Sequence, residues 1–255
     1  MILKWNVTIP ELTGTETRRA YIYLPNSYHD DPGKRYPVLY MFDGHNLFYD
    51  SDATYGKSWG LKEYMDATDT PLIIAAVECN HSPDNGRLRE YAPFSFTDPN
   101  LGFIKGQGRT TMRWMINTFK KEIDQNFRTL PDRKHTYIAG SSMGGLMSLY
   151  AVTHYNHIFS KAAALSPSIW FAPEKLQSMI KRGKMRPDTV IYMDYGEKEL
   201  PSHPTMRKMF SSVSTLLFKR KVLLTTRIVP NGNHSEASWE KQIPYFMSTL
   251  LYDEE

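Results

Sequence analysis

The stretch from His135 to Gly145, HTYIAGSSMGG, constrains this chain more than any other. It reads as a short apolar strand, an abrupt turn of small residues, and the start of a helix running from Leu146 to Tyr155. Within it, Gly140-x-Ser142-x-Gly144 has the form of a nucleophile elbow, a strained strand-to-helix turn that exposes a serine hydroxyl. The flanking glycines have a steric task. Backbone packs close on both sides of such a turn, and a Cβ at either place would collide with the neighbouring strand or helix. With glycine and serine each near 7% of residues, chance alone gives the pentapeptide in roughly one chain of this length in ten. The strand before it and the helix after it make the pattern specific.

An elbow of this kind needs a parallel sheet, and the rest of the chain supplies one. Ile2 to Ile9 and Arg18 to Leu24 predict an antiparallel opening pair separated by a turn at Gly14. Pro37 to Phe42 and Pro71 to Val77 are continuous apolar runs, as expected of strands with both faces covered. A short helix, Leu61 to Ala67, falls between them. Further strands are predicted over Lys161 to Leu165, Thr189 to Tyr195 and Val222 to Val229. Helices are predicted over Thr110 to Phe127, Thr205 to Phe218 and Glu236 to Leu251. In the first of these, Met112, Met115, Ile116, Phe119, Ile123 and Phe127 recur at helical spacing and read as core. The alternation predicts an α/β fold with a mostly parallel sheet of about eight strands and helices on both faces. A single domain over residues 1–255 suits the length. Asn80 to Gly108 is polar and aromatic, and its prolines and glycines interrupt any regular pattern. A loop that long inside a compact domain carries function.

Composition removes several classes of function. The formal net charge is only +4, and no basic run or helix face stands out, which argues against nucleic acid. The lone cysteine, Cys79, excludes an intrachain disulfide and a cysteine-based zinc cluster. It reads as a small buried or half-buried thiol just after a strand. There is no His-Glu-x-x-His string and no histidine–carboxylate cluster with ligand spacing, so neither metal nor cofactor is expected. No signal peptide and no apolar segment of membrane-spanning length is visible, so a cytoplasmic location without membrane contact is expected. The sequence leaves oligomeric state open, a homo-oligomer included.

A serine hydroxyl is a weak nucleophile until a base takes its proton, so an elbow serine calls for a histidine. In an open α/β sheet, functional groups gather beyond the carboxyl ends of the strands. The last predicted strand ends at Val229, and Pro230-Asn231-Gly232-Asn233-His234 follows directly, so His234 can return toward Ser142. The other histidines lie at the wrong end of a strand (His135), at the end of the elbow helix (His154, His157), in polar loops (His29, His81), or at an ordinary helix start (His203). The histidine in turn needs an acid to fix its tautomer and stabilise the imidazolium. The order nucleophile, acid, histidine places that acid after the strand Thr189 to Tyr195. Glu199 is favoured, Asp194 is the alternative, and Glu197 reads as a solvated or salt-bridged loop carboxylate. For the oxyanion of acyl transfer, one donor is expected from the Met143 amide at the N-terminus of the elbow helix. The second is expected from the loop Asp43-Gly44-His45-Asn46, either the His45 amide or that of Gly44, whose missing Cβ lets backbone approach a ligand closely. The His45 ring reads as a surface group at the entrance.

With these residues in view, the chain resembles the esterase family of α/β hydrolases that includes esterase D, feruloyl and acetyl-xylan esterases, and enterobactin-type siderophore esterases. The matching segments are YPVLYMFDGHNLF (Tyr36 to Phe48), FRTLPDRKHTYIAGSSMGGLMSLYA (Phe127 to Ala151), AAALSPSIWF (Ala162 to Phe171), YMDYGEKE (Tyr192 to Glu199) and GNHSEASWEKQIP (Gly232 to Pro244). The resemblance implies the α/β-hydrolase fold, a nucleophile at Ser142, a base at His234 and an acid after a Gly-x-x pattern at Glu199, where many members carry aspartate. It also implies Trp170 as a wall of the substrate pocket, although alone that residue reads as half-buried packing. Specificity is expected in the loop Asn80 to Gly108 and near Trp59 and Trp170. Arg87, Arg89 and Glu90 read as an internal ion pair tying that loop down, or else as groups for a polar or anionic substrate.

The expected activity is a serine carboxylesterase acting on a small-molecule ester with a small or aromatic acyl group through an acyl-enzyme. Alternatives on the same residues are a siderophore trilactone esterase and an acyltransferase. A catalytically silent binding protein with this fold is the non-enzyme alternative.

Overall fold

The computed structural model describes residues 1–252. Its strands are β1 (Ile2–Thr8), β2 (Thr17–Tyr23), β3 (Val38–Met41), β4 (Ile73–Val77), β5 (Phe96–Asp98), β6 (Gly102–Ile104), β7 (Thr136–Ser141), β8 (Lys161–Leu165), β9 (Val190–Gly196) and β10 (Leu223–Val229). Eight of them form one sheet in the order β1-β2-β4-β3-β7-β8-β9-β10. β2 runs antiparallel to both β1 and β4, and every pairing from β4 across to β10 is parallel. The expected opening pair is present, with Ile2 opposite Tyr23 and Thr8 opposite Thr17.

The two apolar layers follow from the period-2 alternation of the strands. Val38, Tyr40 and Ile138 face one layer, beside Phe119, Leu149, Leu176 and Phe210 from its helices. Leu39, Met41, Tyr137 and Ala139 face the other, beside Leu61, Met65, Ile243 and Phe246. Burial on both faces explains why β3, β4, β7 and β8 read as unbroken apolar runs. The edge strands β1 and β10 are partly exposed, and their sequences are accordingly mixed.

Three helical expectations change in the structure. The helix expected over Thr110 to Phe127 runs from Gly108 to Asn126, with a π-helical widening at Met115–Phe119. The closing helix is two pieces, Glu236–Glu240 and Ile243–Leu250. Pro244 is the physical reason. It has no amide proton and its ring clashes with the carbonyl four residues back, so it is accommodated in a first turn and not in a continuous helix. A helix over Pro173–Arg182 was not expected, because only Leu176 and Ile180 of its stripe are buried, too few to show a period.

The long segment Asn80 to Gly108 is also more ordered than its prolines suggest. It holds a helical turn, Gly86–Glu90, and the hairpin β5–β6. Ion pairs tie it to the sheet, as one of its two sequence readings holds. Glu90 takes both oxygens to Arg18 of β2, at 2.7 and 2.6 Å, and Arg87 forks onto Asp43 with two 2.7 Å bonds. Among the described residues, no helix is long and apolar enough to cross a membrane.

Candidate active site

The segments that follow β3, β4, β7 and β10 line one cleft, and those that follow β8 and β9 stand behind it, in contact with Ser142 and His234. Ser142 lies at the turn from β7 into the helix Met143–His154, with φ 58° and ψ −122°. A non-glycine residue in that region stores roughly 1–3 kcal/mol of strain, which surrounding structure must hold in place. Two backbone bonds do so: the Ser142 amide donates to the Leu165 carbonyl at 2.9 Å, and its carbonyl accepts from the Ser168 amide at 3.0 Å. A Cβ at Gly140 would lie 2.8 Å from the Gly144 carbonyl carbon, so the turn closes only with glycine there. The Ser142 hydroxyl points at the Ser168 hydroxyl, 3.3 Å away.

His234 comes from the loop after β10. Asn231 turns the chain with φ 57°, and Gly232 sits so close to Gly196 that a Cβ on either would strike the other's backbone. The loop is held from the β9 side, where the Lys198 amide donates to the Gly232 carbonyl at 2.8 Å. Glu197 is exposed but not idle, for it accepts the Asn231 amide at 3.1 Å. His234 Nδ1 and Glu199 Oε2 are 2.8 Å apart, and the imidazole is partly open to the cleft.

Glu199 itself is buried. Its Oε1 accepts from the Ser166 hydroxyl at 2.6 Å and the Gly196 amide at 2.7 Å. Burial alone would raise its pKa. The hydrogen bonds from His234, Ser166 and the Gly196 amide outweigh that and hold the carboxyl below its ordinary value. Behind it, Trp239 Nε1 donates to the Ser166 hydroxyl at 3.1 Å, so the acid is fixed by a chain of partners. Asp194 does not reach the histidine. It accepts from the Tyr192 hydroxyl at 2.7 Å and the Ser166 amide at 3.1 Å. Burial pushes its carboxyl up to about 7 despite those bonds. Ser166, Ser168 and Trp239 carry no individual sequence signal. The only trace of the two serines is position, since small polar residues directly follow β8 at its carboxyl end.

Met143 is the first residue of its helix, and Gly44 and His45 open a single 3-10 turn, Gly44–Asn46. Amides at such starts have no acceptor within their own helix. Asp43, just before, adopts φ 57°. Burial opposes its ionisation, but the Arg87 fork prevails and holds its pKa low. The His45 ring is buried rather than a surface group, with Nε2 3.0 Å from the Thr54 hydroxyl. It also lines the cleft.

The cleft has a volume of about 770 Å³ and is lined by Ser142, His234, His45, His81, Arg87 and Trp239 among others. Trp59, Gly44 and Trp170 are not part of that lining. Trp59 is 2% exposed and packs on Trp239, 5.8 Å between ring centres, and on Phe246. Gly44 faces inward, where a Cβ would lie 2.9 Å from Tyr21. Trp170 stacks on His203 with ring centres 3.9 Å apart. Burial first, and then nearness to His234, lowers the His203 pKa.

The sheet order and the serine turn define an α/β-hydrolase-like fold. The sequence model of a family described as "Putative esterase" matches residues 13–253, and the chain belongs to that family. It is 28% identical over 186 residues to the uncharacterized protein YbbA of Bacillus subtilis, covering 71% of this chain and 69% of YbbA. Among solved structures, a ferulic acid esterase superposes with TM-score 0.69 at 17% identity, covering 98% of this chain and 96% of the other. The enterobactin and salmochelin hydrolase IroE superposes with TM-score 0.68 at 19% identity, covering 98% and 95%. These two likenesses are of fold.

Proposed function

We propose that this chain is a serine carboxylesterase that hydrolyses esters with a small or aromatic acyl group through an acyl-enzyme. The observation that carries the reading is the 2.8 Å contact between His234 and the buried Glu199, in the same cleft as a serine held at positive φ. In this reading the hydroxyl of Ser142 leaves Ser168, turns to His234 Nε2 and gives up its proton as Oγ attacks the ester carbonyl. Glu199 keeps the other ring proton on Nδ1 and stabilises the imidazolium as it forms. The tetrahedral oxyanion takes hydrogen bonds from the Met143 amide and the His45 amide, each worth roughly 3–4 kcal/mol in the barrier. His234 then protonates the departing alcohol. Water, deprotonated by the same imidazole, releases the acid and restores Ser142.

The size of the cleft, about 770 Å³, also suits the larger substrate of a siderophore trilactone esterase, which is the second reading. A fluorophosphonate probe and a panel of p-nitrophenyl, hydroxycinnamate and triscatecholate esters test both. Labelling at Ser142, with turnover abolished in Ser142→Ala, is the expected result. An unlabelled protein, or a Ser142→Ala variant that turns over normally, overturns the assignment. Hydrolysis of the trilactone alone would replace the first reading with the second.

A further inference from the structure

Three soft-metal donors meet on the wall of the cleft. His45 stands on the turn after β3, and Cys79 and His81 stand on the turn after the neighbouring parallel strand β4. One nitrogen of each imidazole and the Cys79 sulfur all lie within 4.8 Å of one another. Cys79 Sγ is 4.0 Å from His81 Nδ1, and the two imidazole centres are 4.9 Å apart at 70°. The sequence gives no warning of this cluster, because 33 residues separate His45 from the close Cys79-x-His81 pair.

A second observation points to a ligand. His45 Nε2 is engaged by the Thr54 hydroxyl, whereas its Nδ1 is buried and has no hydrogen-bond partner among the described residues. An unpartnered buried nitrogen is costly, and this one belongs to a ring that lines the cleft. A ligating histidine typically has its other nitrogen fixed by an oxygen, which is the arrangement that Thr54 supplies. From these contacts we infer that His45 Nδ1, Cys79 Sγ and His81 form a binding site for Zn²⁺ that opens on the cleft.

Two imidazoles and a thiolate are a donor set that zinc takes readily, and three protein ligands leave a fourth tetrahedral position for water or a substrate oxygen. Bonds of about 2.3 Å to sulfur and 2.0–2.1 Å to nitrogen bring tetrahedral ligand atoms to roughly 3.3–3.6 Å from one another. The cluster therefore closes by about 1 Å, and the exposed His81 is free to make that movement by side-chain rotation. As the Zn–S bond forms, the Cys79 thiol gives its proton to solvent, so binding releases one proton from sulfur. The ion then opens on the cleft that Ser142 and His234 also line, and it pulls on the residue whose amide is assigned to the oxyanion. Zinc thus inhibits ester hydrolysis reversibly, a consequence that rests on the serine-esterase reading, whereas the binding itself does not.

The test separates the two. Calorimetry with Zn²⁺ and absorption with Co²⁺ are run on the wild type and on Ser142→Ala, Cys79→Ser and His81→Ala. The expected result is one ion per chain and a thiolate-to-cobalt band, both kept in Ser142→Ala. Cys79→Ser loses the band and binds zinc more than about 100-fold more weakly, since even outer partners of a site carry roughly 10–100-fold. His81, being exposed, is replaced without risk to the fold, and His81→Ala should weaken binding by a similar factor. Zinc should inhibit the wild type, a chelator should restore it, and Cys79→Ser should hydrolyse esters and ignore zinc. Absence of the band, or wild-type zinc affinity in Cys79→Ser or His81→Ala, overturns the site. Binding without inhibition of an active enzyme overturns the regulation. If the protein binds zinc but has no esterase activity at all, the function reading fails and the metal site stands.

Discussion

Glu199 holds His234 through one carboxylate oxygen, Oε2, at 2.8 Å, while its other oxygen already accepts Ser166 and the Gly196 amide. This division of labour decides what glutamine would do in its place. The amide oxygen would stay with the two fixed donors, leaving the NH₂ group to face His234 Nδ1. The imidazole would then carry its proton on Nε2, the nitrogen that must receive the serine proton. Glu199→Gln is expected to lower kcat by about 10⁴-fold with its fold intact, as loss of the correct tautomer does in a comparable triad. Asp194→Asn, which touches only Tyr192 and Ser166, should leave kcat within a few-fold. Steady-state kinetics on p-nitrophenyl butyrate, with thermal melts as a folding control, checks both; the opposite ranking would transfer the acid to Asp194.

The same two carboxylates pull stability in opposite directions with pH. Asp194 has a folded pKa of about 7, above its ordinary 3.8. Between those values the folded state holds a proton that the unfolded chain has lost. The stability present below 3.8 therefore drains away as pH climbs and is gone once it passes about 7. Glu199 lies below its ordinary 4.5, so its contribution is complete above that value and is lost as pH falls through the folded value. Replacing Asp194 with asparagine keeps Oδ1 for the Ser166 amide and offers its NH₂ to the Tyr192 oxygen. Tm of Asp194→Asn measured across pH 4–8 should lose the decline that the wild type shows up to pH 7. An unchanged decline would mean that other groups cause it.

Much of this architecture was legible in the sequence, and the reasons are local. The elbow shows itself because close backbone packing forces glycine at 140, and the sheet shows itself because strands buried on both faces cannot hide their apolar runs. Topology favoured Glu199 over Asp194 without deciding between them, since Glu199 lies past the end of β9 while Asp194 is within the strand. The supporting residues were not legible. Ser166 and Trp239 are 73 residues apart and acquire a role only when β8 and the closing helix meet. The core position of Trp59 was hidden for the same reason, because its place in the sequence does not say which layer its ring enters.

Trp59 gives that last point a measurable form. Its ring is sandwiched in the core with Trp239 and Phe246, so truncation creates a cavity instead of reshaping the cleft. Trp59→Ala is expected to cost about 3–5 kcal/mol of stability. KM for a short-chain ester, measured well below the lowered Tm, should stay within about two-fold, since a core cavity changes folding free energy and not contacts to substrate. A variant with normal Tm and a large change in KM would return Trp59 to the pocket wall.

Gly196 is where the acid loop and the histidine loop press against each other, backbone on backbone. A Cβ there would strike the Gly232 carbonyl, two residues before His234, and neither neighbour is a flexible side-chain end that could swing aside. The Gly196 amide also donates to Glu199 at 2.7 Å, so one displacement disturbs both partners of the His234–Glu199 contact. Gly196→Ala should lose about 1–3 kcal/mol of stability, the usual cost of overpacking. Its larger effect should be on rate, because moving a reacting group by about 1 Å costs on the order of 100-fold. Fluorophosphonate labelling of Ser142 should slow in parallel with kcat, since both need the imidazole in reach of the hydroxyl. A Gly196→Ala enzyme with wild-type kcat would show that the two loops have slack, and that the position of His234 is set elsewhere.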